Sequence, residues 1–507
     1  MKTVKENAAK DLYKRLRCLK WEQLWIEHVA AFNKEEPASK TRNAGLVRAV
    51  GVVFSESGPH SQRKEVAAWL RSLLKDPDEK IRRYAMAALP KIGADSADEE
   101  ALIELLQKAN PPEREKKYLA RALDKIGGQA TLDVAKELPV QTALKVKASV
   151  ARVESPSEIR LNDAVNALWG LQIHLRCRRG LEGFVREEID SSPQARRLFE
   201  FKNSRPGLVE IAPQSAFRLS DILSLRCFGT LAFVLGTISK PDAPEIAALI
   251  TASPVRSLFK KLTQGAIRYR IEFPSLGHQR GLVREIANRA YALCTDILND
   301  ARSAPWAVEV HPHGRHFTVE LRPRLSPDPR FSYRRLDVPA ASHPPLAACM
   351  ARLAQNSGRD VVWDPFCGSG LELIERGLLG GVVKLLGSDQ SAAAIDISKS
   401  NLAASGLRVE ADFFHGDFRN AGIAPNSISQ IISNPPMGRR VPIPNLAGLI
   451  GDLFQTAARV LQPRGVLVFA NPLSTRPSDP RLKLDIRQRI DLGGFDVHLE
   501  RYIKTHR

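Results

Sequence analysis

Apolar and polar positions along the chain follow three successive rhythms. In the first, leucines recur at spacings of three and four: Leu70, Leu73 and Leu74 precede Asp76-Pro77-Asp78, and Leu102, Leu105 and Leu106 precede Asn110-Pro111-Pro112. That spacing places the leucines on one helix face, and the prolines end each helix. In the second, from 171 to 340, short alternating runs predict strands at 171–175, 207–211, 267–273, 306–310 and 317–322. Helices are expected at 182–188, 216–225 and 281–298, so the segment reads as a mixed α+β module. In the third, from 360 onward, apolar runs alternate with amphipathic helices, the signature of an open parallel sheet. Its strands are expected at 361–363, 383–386, a segment ending at His415, 428–432 and 465–472, with 495–503 as a late antiparallel strand.

The helical rhythm repeats. Residues 82–93 and 116–127 superpose at one offset of 34, pairing Tyr84 with Tyr118, Ala88 with Ala122, Leu89 with Leu123, Ile92 with Ile126 and Gly93 with Gly127. The two glycines suit helix C-terminal caps, and residues 40–53 read as a degenerate earlier copy. The segment resembles a HEAT-type array of stacked helix pairs. Such an array implies a docking surface for RNA, a protein or the ribosome, or else a stabilising appendage, because repeats carry no chemistry themselves. Ser155-Pro156-Ser157 begins the linker out of it. Three domains are expected: an all-α helical repeat over 1–158, an α+β module over 165–335 and a Rossmann-like α/β domain over 340–507.

Composition narrows the class. Of 507 residues, 43% are hydrophobic and 26% charged, as in ordinary globular proteins, so wholesale disorder is excluded. No apolar run approaches the ~20 residues needed to cross a bilayer, and the start of the chain lacks an apolar signal core. The cysteines, Cys18, Cys177, Cys227, Cys294, Cys349 and Cys367, are scattered without a Cys-x-x-Cys pair. This pattern predicts neither a disulfide framework nor a metal site, and a cytoplasmic location. The net charge is +19, spread as +7 over 1–160, +8 over 161–340 and +4 over 341–507. A polyanionic partner contacted over a long footprint is the expectation.

Candidate chemistry lies at the expected strand ends of the last domain. The first runs into Asp364-Pro365-Phe366-Cys367-Gly368-Ser369-Gly370, and the second ends at Asp389, the third near Asp417. A glycine-rich turn lets a ligand approach the backbone, and an acid about 20 residues on can hold ribose hydroxyls. These features alone suit a dinucleotide or any other adenosine cofactor, although Leu373 stands where the third dinucleotide-binding glycine would be. The fourth strand ends in Asn434-Pro435-Pro436-Met437-Gly438-Arg439-Arg440. An exocyclic amine on a base is a poor nucleophile, its lone pair being delocalised into the ring. Two acceptors, the Asn434 side-chain oxygen and the Pro435 carbonyl, can draw its nitrogen towards a tetrahedral shape, with Pro436 stiffening the loop. Arg439 and Arg440 beside this loop are candidate phosphate ligands.

This strand end resembles the Asn-Pro-Pro-aromatic motif of class I amino-methyltransferases. With Arg179-Gly180-Leu181-Glu182, Tyr333-Arg334-Arg335 and Pro345-Leu346 in order upstream, residues 165–507 resemble the THUMP-domain RNA methyltransferases that methylate guanine N2. The resemblance implies a ferredoxin-like and THUMP module binding RNA (tRNA or rRNA), and S-adenosyl-L-methionine as cofactor. The cofactor would be held by Asp364, Pro365, Cys367, Gly368, Gly370, Asp389 and Asp417. Asn434, Pro435, Pro436 and Met437 would orient and line the target base, which must be flipped out of any helical region. Arg176, Arg178, Arg179, Lys260, Lys261, Arg268, Arg270, Arg280 and Arg315 are the basic candidates for RNA. Two positions depart from the pattern: Met437 stands where an aromatic ring is usual, and Leu371 where a small hydroxyl residue is common. Rival readings are an amino-methyltransferase acting on DNA adenine or protein glutamine, and an RNA- or ribosome-binding scaffold with a degenerate fold.

Overall fold

The computed structural model describes residues 11–505 apart from 94, 109–110, 167–169, 340, 356, 439–442 and 475. The chain divides into two compact units, Met1–Pro156 and Ser157–Arg507. Among the described residues no helix is long and apolar enough to cross a membrane.

The first unit is helical. Helices Gly45–Ser57, Glu79–Ala88, Glu113–Ile126 and Val140–Glu154 pack side by side, and Arg63–Leu73 and Ser96–Lys108 form a second layer against them. The 34-residue offset reappears in burial: Leu89 and Leu123 are both fully buried, as are Ala88 and Ala122. Polar clasps join one helix pair to the next. Arg82 donates to both oxygens of the buried Glu115 at 2.6 and 2.9 Å, and Glu99 accepts from the Gly128 and Thr131 backbone N–H groups and the Thr131 hydroxyl. Asp78 caps helix Glu79–Ala88 by accepting from the Lys80 and Ile81 N–H groups, satisfying donors that a helix start leaves unpaired. Gly93 is left-handed at φ +79°, as its capping position predicts, whereas Gly127 is extended.

The second unit contains the strands β1 (Ser157–Ile159), β2 (Ile173–Arg176), β3 (Phe199–Arg205), β4 (Leu208–Pro213), β5 (Thr230–Ile238), β6 (Thr263–Gly265), β7 (Ile267–Glu272), β8 (Ile297–Asn299), β9 (Trp306–His313) and β10 (His316–Pro323). Eight of them form one sheet in the order β3-β4-β2-β5-β10-β9-β7-β8, while β1 and β6 pair separately. Ile173, Leu175, Phe233, Val319 and Leu321 on its central strands are fully buried. A row of charges also runs across it in register. Arg205 meets Glu210 at 3.3 Å; His174 lies between Glu210 and Glu320; Arg176 pairs with Glu320. Arg322 then bridges Glu309 at 2.6 Å and Glu272 at 3.2 Å.

The remaining strands, β11 (Asp360–Asp364), β12 (Val382–Asp389), β13 (Glu410–His415), β14 (Ile428–Ser433), β15 (Leu461–Asn471), β16 (Leu482–Asp491) and β17 (Asp496–Lys504), form a seven-stranded sheet in the order β13-β12-β11-β14-β15-β17-β16. All pairs from β13 to β15 are parallel, and β17 inserts antiparallel between β15 and β16. From β11 the chain winds outward to β12 and β13, then returns to the other side of β11 at β14. The strand ends of β11 and β14 therefore flank a topological switch point, where open α/β sheets bind ligands.

Several expected boundaries shift. The helix expected at 216–225 shrinks to Leu219–Ile222, and the one expected at 281–298 stops at Leu293, Leu298 belonging to β8. Helices Ala243–Thr251 and Ser253–Leu262 occupy a stretch with no assigned element.

Candidate functional site

The switch point opens into a cleft of about 870 Å³. Its floor is the turn after β11. Gly368 and Gly370 are left-handed at φ +52° and +81°, conformations that residues with a Cβ adopt only at a cost. This geometry reverses the strand into helix Leu371–Leu378, whose N-cap is Gly370. Asn401, fully buried, holds the turn to the incoming chain: its amide donates to the Leu336 and Ser369 carbonyls and its oxygen accepts from the Arg335 and Leu336 N–H groups.

The acids of this turn are held in different ways. Asp364 is fully buried; its Oδ1 accepts from the Ser433 hydroxyl at 2.5 Å and the Phe366 N–H at 3.0 Å, while Oδ2 is buried without a hydrogen-bond partner. Burial, reinforced by Glu372, pushes its carboxyl well above the usual range. Asp389, at the tip of β12, accepts from the Gly368 N–H at 3.0 Å and the Ser391 N–H at 2.9 Å, and faces the cleft. Asp417 is not a lining residue. Its carboxylate is engaged by Arg419 at 2.6 Å and Gln390 at 3.1 Å, and Arg419 holds it below the ordinary value.

The opposite wall comes from β14. Asn434, Pro435, Pro436 and Met437 all line the cleft. The Asn434 amide nitrogen donates to the Ser342 Oγ at 2.8 Å, and the Ser342 hydroxyl donates in turn to Glu372. The Asn434 Oδ1 is buried and has no partner. Aromatic rings come from elsewhere: Phe366 and Phe418, with centroids 4.9 Å apart, and Phe495 after β16.

Nine of the residues singled out in the sequence thus share this cleft: Pro365, Cys367, Gly368, Asp389, Asn434, Pro435, Pro436, Met437 and Arg178. Cys367 is buried, which raises its thiol and leaves it a packing group. Asp364 and Gly370 support the turn from behind. Arg179 lines a separate cavity of about 490 Å³ beside Arg205 and Arg489. Arg176 is committed to Glu320. Lys260 and Lys261 are exposed on the last turn of helix Ser253–Leu262, away from either cavity. Arg439 and Arg440 lie outside the described residues. Ser342, Glu372, Asn401 and Phe495 went unread in the sequence, since none lies in a strand-end motif. Away from the cleft, Glu309, His311 and Glu320 offer ligand atoms within 4.8 Å of one another. Arg322 and Arg176 already neutralise the two glutamates.

Comparison with known proteins bears on the same region. Residues 332–479 match the family described as UPF0020, RMKL-like, methyltransferase domain. The tRNA (guanine(10)-N2)-dimethyltransferase of Methanocaldococcus jannaschii is 32% identical over 200 residues, covering 38% of this chain and 50% of that protein. The U6 snRNA (guanine-N(2))-methyltransferase of Bos taurus is 31% identical over 123 residues, 24% of each chain. The chain thus spans half or less of the length of these two relatives. In fold, TrmN from Thermus thermophilus superposes with a TM-score of 0.52 at 20% identity, over 66% of this chain and 99% of that one. Every strand-end residue from Asp364 to Met437 falls within the matched stretch, whereas Arg178, Leu492, Gly493 and Phe495 of the cleft lie outside it.

Proposed function

We propose that this protein is an S-adenosyl-L-methionine-dependent RNA methyltransferase that modifies an exocyclic base amine, guanine N2 in tRNA or rRNA. The observation that carries the reading is the buried, unpartnered Oδ1 of Asn434 at a parallel-sheet switch point. The two relatives, both guanine-N2 methyltransferases of RNA by name, support guanine N2 and RNA.

The residues at the turn fit the cofactor. The orphaned Asp364 Oδ2 is a buried acceptor awaiting a donor, the Gly368–Gly370 turn lets a ligand reach the backbone, and Asp389 offers a carboxylate at the tip of β12 for ribose hydroxyls. Bound there, S-adenosyl-L-methionine would supply an electrophilic methyl group on a sulfonium. The chain's own part is positioning. Asn434 Oδ1 and the Pro435 carbonyl accept the two amine hydrogens, Pro436 restricts the loop, and Met437 with the nearby phenyl rings excludes water from the base. Asp417, at the third strand end, is the further candidate for the adenine side, its carboxylate being held beside the cleft-lining Gln390.

The wider organisation belongs to the same reading. Residues 1–158 would be a HEAT-like array with an RNA, protein or ribosome partner. Residues 165–335 would be a ferredoxin-like and THUMP-like module bringing RNA to the catalytic domain at 340–507. Arg178, at the cleft rim, is its best-placed basic residue, with Arg176, Arg179, Arg439, Arg440, Lys260 and Lys261 as further candidates.

The test is nucleoside mass spectrometry on RNA from a host lacking the gene, incubated with the protein and isotopically labelled S-adenosyl-L-methionine. Label in N2-methylguanosine is expected. Label in another nucleoside would overturn the guanine assignment, and no label would favour the scaffold reading. Asn434→Ala should lower kcat by about 100-fold or more while leaving cofactor affinity unchanged.

A further inference from the structure

A carboxamide has two faces of similar shape and opposite hydrogen-bonding character, so something must decide which one meets the substrate. At Asn434 the neighbours decide it. The Ser342 hydroxyl has one proton and gives it to the Glu372 carboxylate. Its remaining lone pairs can only accept, and they accept from Asn434 Nδ2 at 2.8 Å. Turning the amide over would set Oδ1 against those lone pairs with no proton between them. The carboxylate therefore fixes the hydroxyl, the hydroxyl fixes the amide, and the acceptor oxygen is left unpartnered in the cleft. Neither Ser342 nor Glu372 lies in a strand-end motif; they reach Asn434 across 92 and 62 residues of sequence through the fold alone.

We propose that Ser342 and Glu372 are positioning residues that set the orientation of the Asn434 amide, and that the relay works only while Glu372 is ionised. This rests on reading the cleft as a methyl-transfer site. A protonated Glu372 could donate to Ser342, freeing the hydroxyl proton to satisfy Asn434 Oδ1 and reversing the polarity of the relay. The surroundings make that protonation accessible. Glu372 is 4% exposed, and Asp364 and Cys367 face it from the strand-end turn. Tyr333 and Glu375 lie on its other side, where Arg226 pairs with Glu375. Burial, reinforced by Glu375, raises its carboxyl above the ordinary value.

The test uses the full chain with total RNA from a host lacking the gene. Ser342→Ala should lower kcat about tenfold, with KM for RNA and the affinity for S-adenosylhomocysteine unchanged, and Ser342→Thr should restore it. Glu372→Gln should remove the acid limb of the kcat–pH profile, along which the wild type loses activity as pH falls. Unchanged kcat in Ser342→Ala, or an acid limb retained in Glu372→Gln, would overturn the relay. A second readout separates this from the underlying reading: side-chain amide exchange of Asn434, followed by NMR on 15N-asparagine-labelled protein. Faster exchange in Ser342→Ala is expected whether or not the wild type methylates RNA, and equal exchange would overturn the relay in either case.

Discussion

Arg376 shows how far a single charged side chain can be committed inside this fold. It is fully buried, donates to Gln430 at 2.7 Å and the Gly380 carbonyl at 2.8 Å, and pairs with Asp360, itself fully buried. One guanidinium thereby joins the start of β11 to β14 and to the loop after helix Leu371–Leu378. Replacing such a pair with apolar groups is often neutral, whereas removing one partner strands the other charge in a dry interior. Arg376→Ala should therefore destabilise the protein by about 3–5 kcal/mol, read as a shift in the urea midpoint. Cofactor affinity below the transition should be unchanged, because Arg376 does not line the cleft.

At the scale of elements, the charge row across the eight-stranded sheet gives that sheet its own acid sensitivity. Burial alone would raise the Glu309 carboxyl, yet His311 and Arg322 bring it down to about 2. A carboxyl held below its unfolded value stabilises the fold above that unfolded value and loses the contribution as pH falls through the folded one. The wild type should thus lose thermal stability between about pH 4.5 and 2. Glu309→Gln should start lower at neutral pH and fall less over that window, as followed by circular dichroism. The strands of this row were unevenly legible in the sequence. β7, β9 and β10 alternate, so their period is plain. β5 (Thr-Leu-Ala-Phe-Val-Leu-Gly-Thr-Ile) is a nearly continuous apolar run in the middle of a sheet, and periodicity cannot separate such a strand from a buried helix. β3 here and β16 in the seven-stranded sheet are edge strands with exposed charges, which keep sheet edges from pairing with other chains and also hide the alternation. The cleft divides in the same way. Residues whose role depends on a strand end, such as Asp389 and Asn434, stand out by local spacing. Ser342 is defined by partners 30 and 92 residues away, a relation that no local pattern carries.

Among the described residues each unit has its own hydrophobic core. The first unit's gathers Trp21, Phe32, Leu70, Leu89 and Leu123; the second unit's main core runs from Val165 to Leu499, with smaller clusters around Phe454 and Tyr333. Units with independent cores unfold independently. Residues 157–507 alone should therefore fold, bind S-adenosylhomocysteine within about threefold of the full chain's affinity and show a single calorimetric transition, while the full chain shows two. The order of assembly follows from the placement of β17. It is the latest-made strand of the seven yet lies inside the sheet, with β15 on one side and β16 on the other. During synthesis β16 has no neighbour and β15 presents an open edge until residue 504 has left the ribosome. At about 5–20 residues per second, the nascent chain carries that exposed edge for a second or more, the interval in which a chaperone or a second nascent chain can reach it.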